Sequence, residues 1–170
     1  MTLQNELGYT VKTPNATQRA VQSLASTKPV AWVFQKTLYP MDRILYRKSR
    51  GRITVPGLMA GLPVIMLTTT GARSGKPRTM PLIGIPMGDA LVILGTNYGQ
   101  KPTPGWVYNL RADPAATVEY RGASVEVIAR LATASETEDA FALAAKVYPA
   151  FNEYRDRIEG REVSAFILDT

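Results

Sequence analysis

The chain of 170 residues is 45% hydrophobic and 20% charged, a composition typical of a single globular domain with a sizeable core. It contains no histidine and no cysteine, which excludes Ser-His-Asp and Cys-His catalysis, disulfide frameworks and zinc fingers. Because the carboxylates are also scattered rather than paired, no metal site is expected. Any enzymatic chemistry would then come mainly from a bound cofactor.

The net charge of +6 is concentrated in the first third of the chain. Residues 1–52 contain nine lysines and arginines against two acidic residues, a balance of +7. No run is apolar and long enough to span a bilayer, and residues 1–13 lack the charged start and apolar centre of a secretory signal. These features predict a cytoplasmic protein.

The N-terminal part is predicted to be helical. Residues 1–14 are expected to form a flexible arm, and residues 15–170 a single domain. Asn15 is placed to cap a first helix. Apolar spacing then predicts a helix over Val30–Leu38, and a basic helix follows from Pro40 to Gly51.

This basic extension, residues 15–52, has two interpretations. It could lie on the inner face of the cell membrane, with Trp32, Phe34 and Leu38 toward the lipid and the cations toward anionic head groups. Alternatively, it packs on the rest of the domain with a solvated charged face, which we slightly favour. Nucleic acid is not an expected partner, because no module that reads nucleic acid is recognisable.

From residue 64 onward the pattern changes to short strands. The predicted strands are Val64–Thr69, Thr79–Met87, Ala90–Thr96, Thr117–Tyr120, Ser124–Ala132 and Val163–Leu168. Helices are predicted over Pro104–Leu110 and from a capping box of Ser135 and Glu138 to Val147. Hairpins with single helices favour an antiparallel, barrel-like sheet over a doubly wound fold, and no G-x-G-x-x-G follows a strand.

The turn between the first two strands, Thr68–Arg78, carries three cations within six residues. Arg73, Lys76 and Arg78 lie beside glycines and hydroxyl groups, which suits a phosphate or carboxylate. The simpler interpretation is a solvated hairpin with a basic face. A Walker loop is excluded, because three residues rather than four separate the two glycines and Pro77 follows the lysine.

Several motifs in chain order resemble one family. They are Thr68–Arg78, Pro81-Leu82, Pro104-x-Trp106-x-x-Asn109-Leu110 and Asp113-Pro114. The series resembles the deazaflavin-dependent nitroreductases and F420H2-dependent quinone reductases, split β-barrel oxidoreductases that use coenzyme F420. The resemblance covers roughly residue 60 to the C-terminus. It implies an α+β, mainly β fold: an FMN-binding-type split barrel of about six antiparallel strands, with N-terminal helices and a helix between the last strands.

The resemblance also assigns a cofactor site. F420 is an 8-hydroxy-5-deazaflavin with a phosphodiester and an oligoglutamate tail, so the basic turn would hold its anionic part. The implied cofactor-binding residues are Thr70, Arg73, Ser74, Lys76, Pro77, Arg78, Leu94, Gly95, Thr96, Gly105, Trp106 and Asn109. Lys76 stands where relatives often have an uncharged residue, so it would be an extra tail contact at most. A lone tryptophan on an apolar helix is also a common core residue, so Trp106 has two interpretations.

An aromatic stripe near the C-terminus is the implied acceptor site. Tyr148, Phe151 and Tyr154 share one helical face and, with Ile83, would line the acceptor pocket. The stripe could equally be core. Tyr148, Tyr154 and Thr96 are the implied catalytic hydrogen-bond donors. Relatives often have tyrosine where Phe151 and Ile83 stand and serine where Thr96 stands, so this pocket is expected to be more apolar.

The implied activity is hydride transfer from C5 of reduced F420 to an electron-poor quinone, enone or nitroaromatic or nitroimidazole compound. Two alternatives stay open: an FMN-using split-barrel oxidoreductase, and a non-catalytic barrel that binds a cofactor or lipid. The expected partner is a small-molecule acceptor. The apolar outer surface of such a barrel could also pair two copies as a homodimer.

Overall fold

The structure is a computed structural model that describes residues 2–12, 15–25, 61–158 and 160–170. The helices predicted over Val30–Leu38 and from Pro40 to Gly51 lie outside these ranges. Within them, no helix is both long and apolar enough to cross a membrane.

Five helices and seven strands are formed by these residues. The helices are α1 (Leu3–Leu7), α2 (Ala16–Ala25), α3 (Gly105–Ala112), α4 (Ala134–Val147) and α5 (Ala150–Arg157). The strands are β1 (Val64–Thr70), β2 (Pro77–Ile83), β3 (Ile85–Met87), β4 (Ala90–Leu94), β5 (Ala115–Tyr120), β6 (Ala123–Leu131) and β7 (Ala165–Asp169). A short 3-10 turn, Asn97–Gly99, follows β4.

All seven strands form one antiparallel sheet in the order β2-β1-β5-β6-β7-β4-β3. Its two edge strands, β2 and β3, are consecutive in the chain and separated only by Gly84. The sheet must therefore curl until its edges approach each other. The predicted antiparallel barrel is confirmed as a curled half-barrel. The single strand predicted over Thr79–Met87 is in fact two, because Ile83 pairs with β1 whereas Ile85 pairs with β4.

Strand alternation produces two hydrophobic cores. In β4, Leu91 and Ile93 point into the barrel, whereas Val92 and Leu94 point outward. The inner core also receives α1 and α3, and the outer core is covered by α4 and α5. A strand buried on both faces reads as a continuous apolar run, as the sequence of β4 does.

The flexible arm predicted for residues 1–14 is wrong for residues 2–12. Leu3 and Leu7 of α1 are buried in the inner core. The Tyr9 hydroxyl lies between the carbonyl oxygens of Pro63, at 2.9 Å, and Gly84. This role is not evident from the sequence, because the segment is short and mostly polar and only two leucines and one tyrosine reach the core.

Helix capping was predicted correctly at α2 and with an error of two residues at α4. The Asn15 Oδ1 accepts a hydrogen bond from the Gln18 amide at 2.8 Å, as expected for a cap. For α4, the capping box is formed by Thr133 and Glu136 instead of Ser135 and Glu138. Arg130 pairs with the Glu136 carboxylate at 2.7 Å, which reinforces the earlier start.

We expect Thr133→Ala to lower the free energy of unfolding by about 1 kcal/mol, because it removes the cap of the α4 N-terminus. Ser135→Ala, at the wrongly predicted position, should change it by less than about 0.5 kcal/mol. Urea denaturation of the two variants is the measurement. Equal losses in both would contradict the assigned cap.

Candidate cofactor and acceptor site

The residues of interest lie mainly at one end of the barrel. Because neighbouring strands are antiparallel, the C-terminal ends of β1, β4 and β6 lie beside the N-terminal ends of β2, β5 and β7. The basic turn joins β1 to β2 there, and α3 joins β4 to β5 there. Sequence segments far apart in the chain are thereby brought to the same edge.

The basic turn is closed by its own backbone. The Gly75 amide donates to the Gly71 carbonyl at 2.8 Å, and the Gly71 amide donates to the Lys76 carbonyl at 2.9 Å. The Ser74 hydroxyl accepts from the Lys76 amide at 3.3 Å. Side chains from residue 72 to residue 78 are all exposed. The turn is thus a defined loop that presents its side chains to solvent.

The three cations of this turn have no acidic partner in the part of the chain that the structure describes. Arg73, Lys76 and Arg78 take part in none of its ion pairs, which join Arg130 to Glu136, Arg155 to Glu138, and Arg157 to Glu153. Three like charges in one short loop repel one another unless an anion binds between them. The donor set fits a phosphate or carboxylate group.

Asn109 of α3 holds the basic turn through hydrogen bonds. Its Oδ1 accepts from the Ala72 amide at 3.0 Å, and its Nδ2 donates to the Thr69 Oγ1 at 3.0 Å. The Thr69 hydroxyl in turn lies 3.4 Å from the Arg78 carbonyl oxygen. Asn109 was predicted as a cofactor contact. Both ends of its amide are used to hold the turn, so its contribution to binding would be indirect.

Leu94, Gly95 and Thr96 were predicted to bind the cofactor, and the structure uses most of the polar backbone groups of this segment internally. The Gly95 amide donates to the Ser164 carbonyl, and the Thr96 amide donates to the Leu94 carbonyl, both at 2.9 Å. The Thr96 side chain is buried. Any contact of this segment with a ring would therefore depend mainly on shape complementarity and not on hydrogen bonds from its backbone.

Arg161 is a residue of this region that sequence reasoning missed. Its guanidinium donates to the carbonyl oxygens of Gly95, Gln100 and Thr96 at 3.1, 3.2 and 3.4 Å. Burial lowers the pKa of Arg161 from its ordinary value. No sequence signal identifies it, because backbone carbonyls as partners leave no pattern of residue types.

Trp106 lies in the inner core. It is 3% exposed and packs edge-on against Phe166, with ring centroids 5.8 Å apart. This placement favours the core interpretation over ring stacking on a cofactor. Its neighbour Gly105 is exposed at the start of α3. A Cβ at Gly105 would meet no atom within 4 Å, so the space beside this residue is open.

The structure brings three of the four predicted acceptor residues into contact. The rings of Tyr148, Phe151 and Tyr154 form a triangle of edge contacts with centroids 6.0–6.2 Å apart. Ile83 packs against the same outer core. All three aromatic side chains are buried. The cluster therefore combines both interpretations of the stripe: it is core, and it contains the residues assigned to the acceptor.

Burial controls the protonation of the two tyrosines. It raises the pKa of Tyr154 above its ordinary value of 10.0, and the adjacent Tyr148 raises it further. Burial likewise raises the pKa of Tyr148. Both hydroxyls are protonated at neutral pH, and they are hydrogen-bonded to each other, with Tyr154 donating to Tyr148. The Tyr148 hydroxyl proton is thereby left for another acceptor.

The comparison with protein families matches residues 41–169 to the model described as F420H(2)-dependent quinone reductase. The chain belongs to this family. An F420H(2)-dependent quinone reductase of Mycobacterium tuberculosis is 40% identical over 72 residues, covering 41% of this chain and 46% of the relative. The match thus spans about half the length of that relative.

One solved structure supports the same assignment, and a second is similar to this chain. A structure described as an F420-H2 dependent reductase (FDR-A) has 30% identity and a TM-score of 0.57, covering 62% of this chain and 93% of its own. A structure described as a domain-swapped dimer has 28% identity and a TM-score of 0.59, covering 83% of this chain and 99% of its own. The cofactor in the family name is strongly anionic, which agrees with the three cations of the basic turn.

We expect stability to fall as pH rises above about 10, because three tyrosines keep their protons in the folded state. Burial raises the pKa of Tyr9, Tyr148 and Tyr154, whereas in the unfolded chain they ionise near 10.0. Their contribution is fully present below pH 10 and is lost above it, at up to about 1.4 kcal/mol per pH unit for each tyrosine. Urea unfolding between about pH 8 and pH 11 measures this slope, and Tyr9→Phe should reduce it. An identical slope in Tyr9→Phe would contradict the prediction.

Proposed function

We propose that this protein binds reduced F420 and reduces a small electron-poor acceptor, with a quinone as the main class. The observation that carries the proposal is the basic turn: three exposed cations without acidic partners in the described ranges, on a loop fixed by Asn109. This feature lies in a chain that belongs to the F420H(2)-dependent quinone reductase family.

The turn would bind the anionic part of the cofactor. Arg73 and Arg78 offer planar donor forks that match phosphate and carboxylate oxygens in pairs, whereas Lys76 offers a point charge. Asn109 keeps the loop in one shape before binding, so less ordering is required when the anion arrives. Charge and preorganisation thus act together at this end of the barrel.

When bound, reduced F420 supplies a hydride from C5 of its deazaflavin ring. One hydride and one proton convert a quinone into a hydroquinone, and negative charge develops on the quinone oxygen after hydride arrival. The Tyr148 hydroxyl would donate a hydrogen bond to that oxygen, and the Tyr154 hydroxyl, which donates to Tyr148, would strengthen it. The surrounding apolar side chains would exclude water, which strengthens those bonds.

The composition of the acceptor cluster favours a flat, weakly polar substrate. Phe151 and Ile83 contribute only apolar surface, and both pack in the same outer core as the two tyrosines. A quinone is a planar ring with few polar groups, which such a cluster can contact with aromatic surface and a tyrosine hydroxyl. A nitro group has two oxygens at one end of the substrate and needs more hydrogen-bond donors there, so nitro compounds are expected to be slower substrates.

The test is a fluorescence titration with F420, followed by oxidation of reduced F420 on addition of menadione, an enone and a nitroimidazole. Micromolar F420 affinity with faster turnover of menadione supports the proposal. Absence of binding at micromolar F420 overturns it. Tighter binding of FMN than of F420 would favour the FMN-using alternative, and F420 binding without any turnover would favour the non-catalytic barrel.

Two partner proposals accompany this function. A homodimer would cover the exposed apolar residues Ile128 and Leu131 of β6, and sedimentation velocity of the protein measures the oligomeric state.

Contact with an anionic membrane rests on the charge of residues 1–52 alone, most of which lie outside the described ranges. Co-sedimentation with phosphatidylglycerol vesicles, compared with phosphatidylcholine vesicles, tests it.

A further inference from the structure

The loop after β4 contains three consecutive residues with left-handed backbone. The angle φ is +48° at Asn97, +57° at Tyr98 and +77° at Gly99. Glycine and asparagine adopt this region readily, whereas a bulky aromatic residue seldom does, because its Cβ crowds the backbone carbonyl. Tyr98 is therefore the strained member of the run, and strain of this kind concentrates at functional sites.

A second bulky residue with left-handed backbone, Arg121, has an ordinary explanation. Tyr120 pairs with Ala123, so Arg121 and Gly122 form a two-residue hairpin turn, and such turns require positive φ at their first position. Tyr98 has no hairpin that demands its conformation. Its strain must be imposed by the surroundings of the loop.

Those surroundings fix the loop from two sides. Arg161 donates to three carbonyl oxygens of the segment from Gly95 to Gln100. On the other side, Gly99 lies so close to α5 that a Cβ there would come within 3.2 Å of the Arg157 Cβ and the Tyr154 Cα. The loop is held tightly enough to keep Tyr98 in an unfavourable conformation.

The side chain of Tyr98 is presented where the acceptor residues are. Its ring packs edge-on against Tyr154, with centroids 6.2 Å apart, yet 40% of the residue stays exposed. Thr96, two positions earlier, is buried. An exposed ring that touches the buried aromatic cluster extends the cluster to the protein surface.

We propose that Tyr98 is a specificity-determining residue that contacts the acceptor, supplying an aromatic surface at the mouth of the site for flat molecules such as quinones. The inference rests on the proposed function. Offset or edge contact between a tyrosine ring and a planar substrate is favourable beyond the area it buries. The strained backbone is then the cost of holding the ring at that position.

Three variants test this assignment. Tyr98→Gly and Tyr98→Asn tolerate the left-handed backbone and remove the ring, whereas Tyr98→Phe keeps both the ring and the strain. For each, we would measure the KM for menadione with reduced F420, the Kd of menadione from quenching of intrinsic fluorescence, the Kd of F420, and the Tm.

We expect Tyr98→Gly and Tyr98→Asn to raise the KM and Kd for menadione roughly two- to tenfold, with F420 affinity unchanged and Tm equal to or above that of the wild type. Tyr98→Phe should resemble the wild type. Unchanged menadione Kd in the first two variants would overturn the assignment, as would weaker menadione binding that simply follows a lower Tm. Failure of wild-type protein to bind F420 would instead overturn the proposed function, and the menadione Kd would still report on Tyr98.

Discussion

Replacing Arg78 by alanine is expected to weaken F420 binding by about 1.5–3 kcal/mol, a factor of roughly 10 to 150 in Kd. Arg78 is the second residue of the edge strand β2, in its exposed first part, and its side chain has no acidic partner among the described residues. Its guanidinium would therefore be fully available to an anion. Because the interaction is electrostatic, the loss should shrink as ionic strength rises.

Two controls separate a bound anion from a general effect of charge. Lys146→Ala removes one exposed cation from α4, outside the turn, and should leave the Kd of F420 within about twofold. Arg78→Lys keeps the charge without the planar fork and should give an intermediate affinity. An Arg78→Ala protein that binds F420 as tightly as the wild type would remove Arg78 from the site.

Replacing Gly84 by alanine is expected to destabilise the protein by about 1–3 kcal/mol, the usual cost of an overpacked core. Gly84 is the point where the chain passes from the β2 edge to the β3 edge of the sheet. A Cβ there would lie 2.8 Å from the Tyr9 hydroxyl oxygen and 3.2 Å from its Cζ atom. Tyr9 would have to move, which would break its hydrogen bonds to the carbonyls of Pro63 and Gly84.

A double-mutant cycle tests this explanation. Tyr9→Phe alone should cost about 1–2 kcal/mol, because buried carbonyls lose their donor. The double variant should lose less than the sum of the two single variants, since removing the hydroxyl also removes the closest clash. Urea denaturation measures all three proteins. Additive losses would show that Gly84 and Tyr9 do not meet in the folded protein.

Several strands and the basic turn could be predicted because their signals are local. Strands β1 and β4 begin at the predicted residues, Val64 and Ala90, where apolar β-branched runs start after a proline and a Gly-Asp turn. The break at Gly84 was missed, because the change of pairing partner there depends on strands distant in sequence. The start of α4 was misplaced for a local reason: two capping patterns overlap, and the one formed by Thr133 and Glu136 is present, with Arg130 paired to Glu136.

The candidate site was predictable only in part. Charged side chains in a turn can be recognised in the sequence, and so can an aromatic stripe at helical spacing. The roles of Asn109 and Arg161 were hidden, because each acts by holding backbone of another segment. Tyr98 was also missed, since left-handed backbone at a tyrosine leaves no trace in the residue types around it.

The docking of residues 2–12 into the barrel has a consequence for folding order. Their hydrogen bonds reach residues far along the chain: Gln4 to Ala90, and Tyr120 to Thr10, a separation of 110 residues. During synthesis this segment leaves the ribosome well before its partners, so it must wait for β4 and β5 before it can dock. Such long-range closure slows folding. Residues 2–12 are thus made long before they can reach their native position.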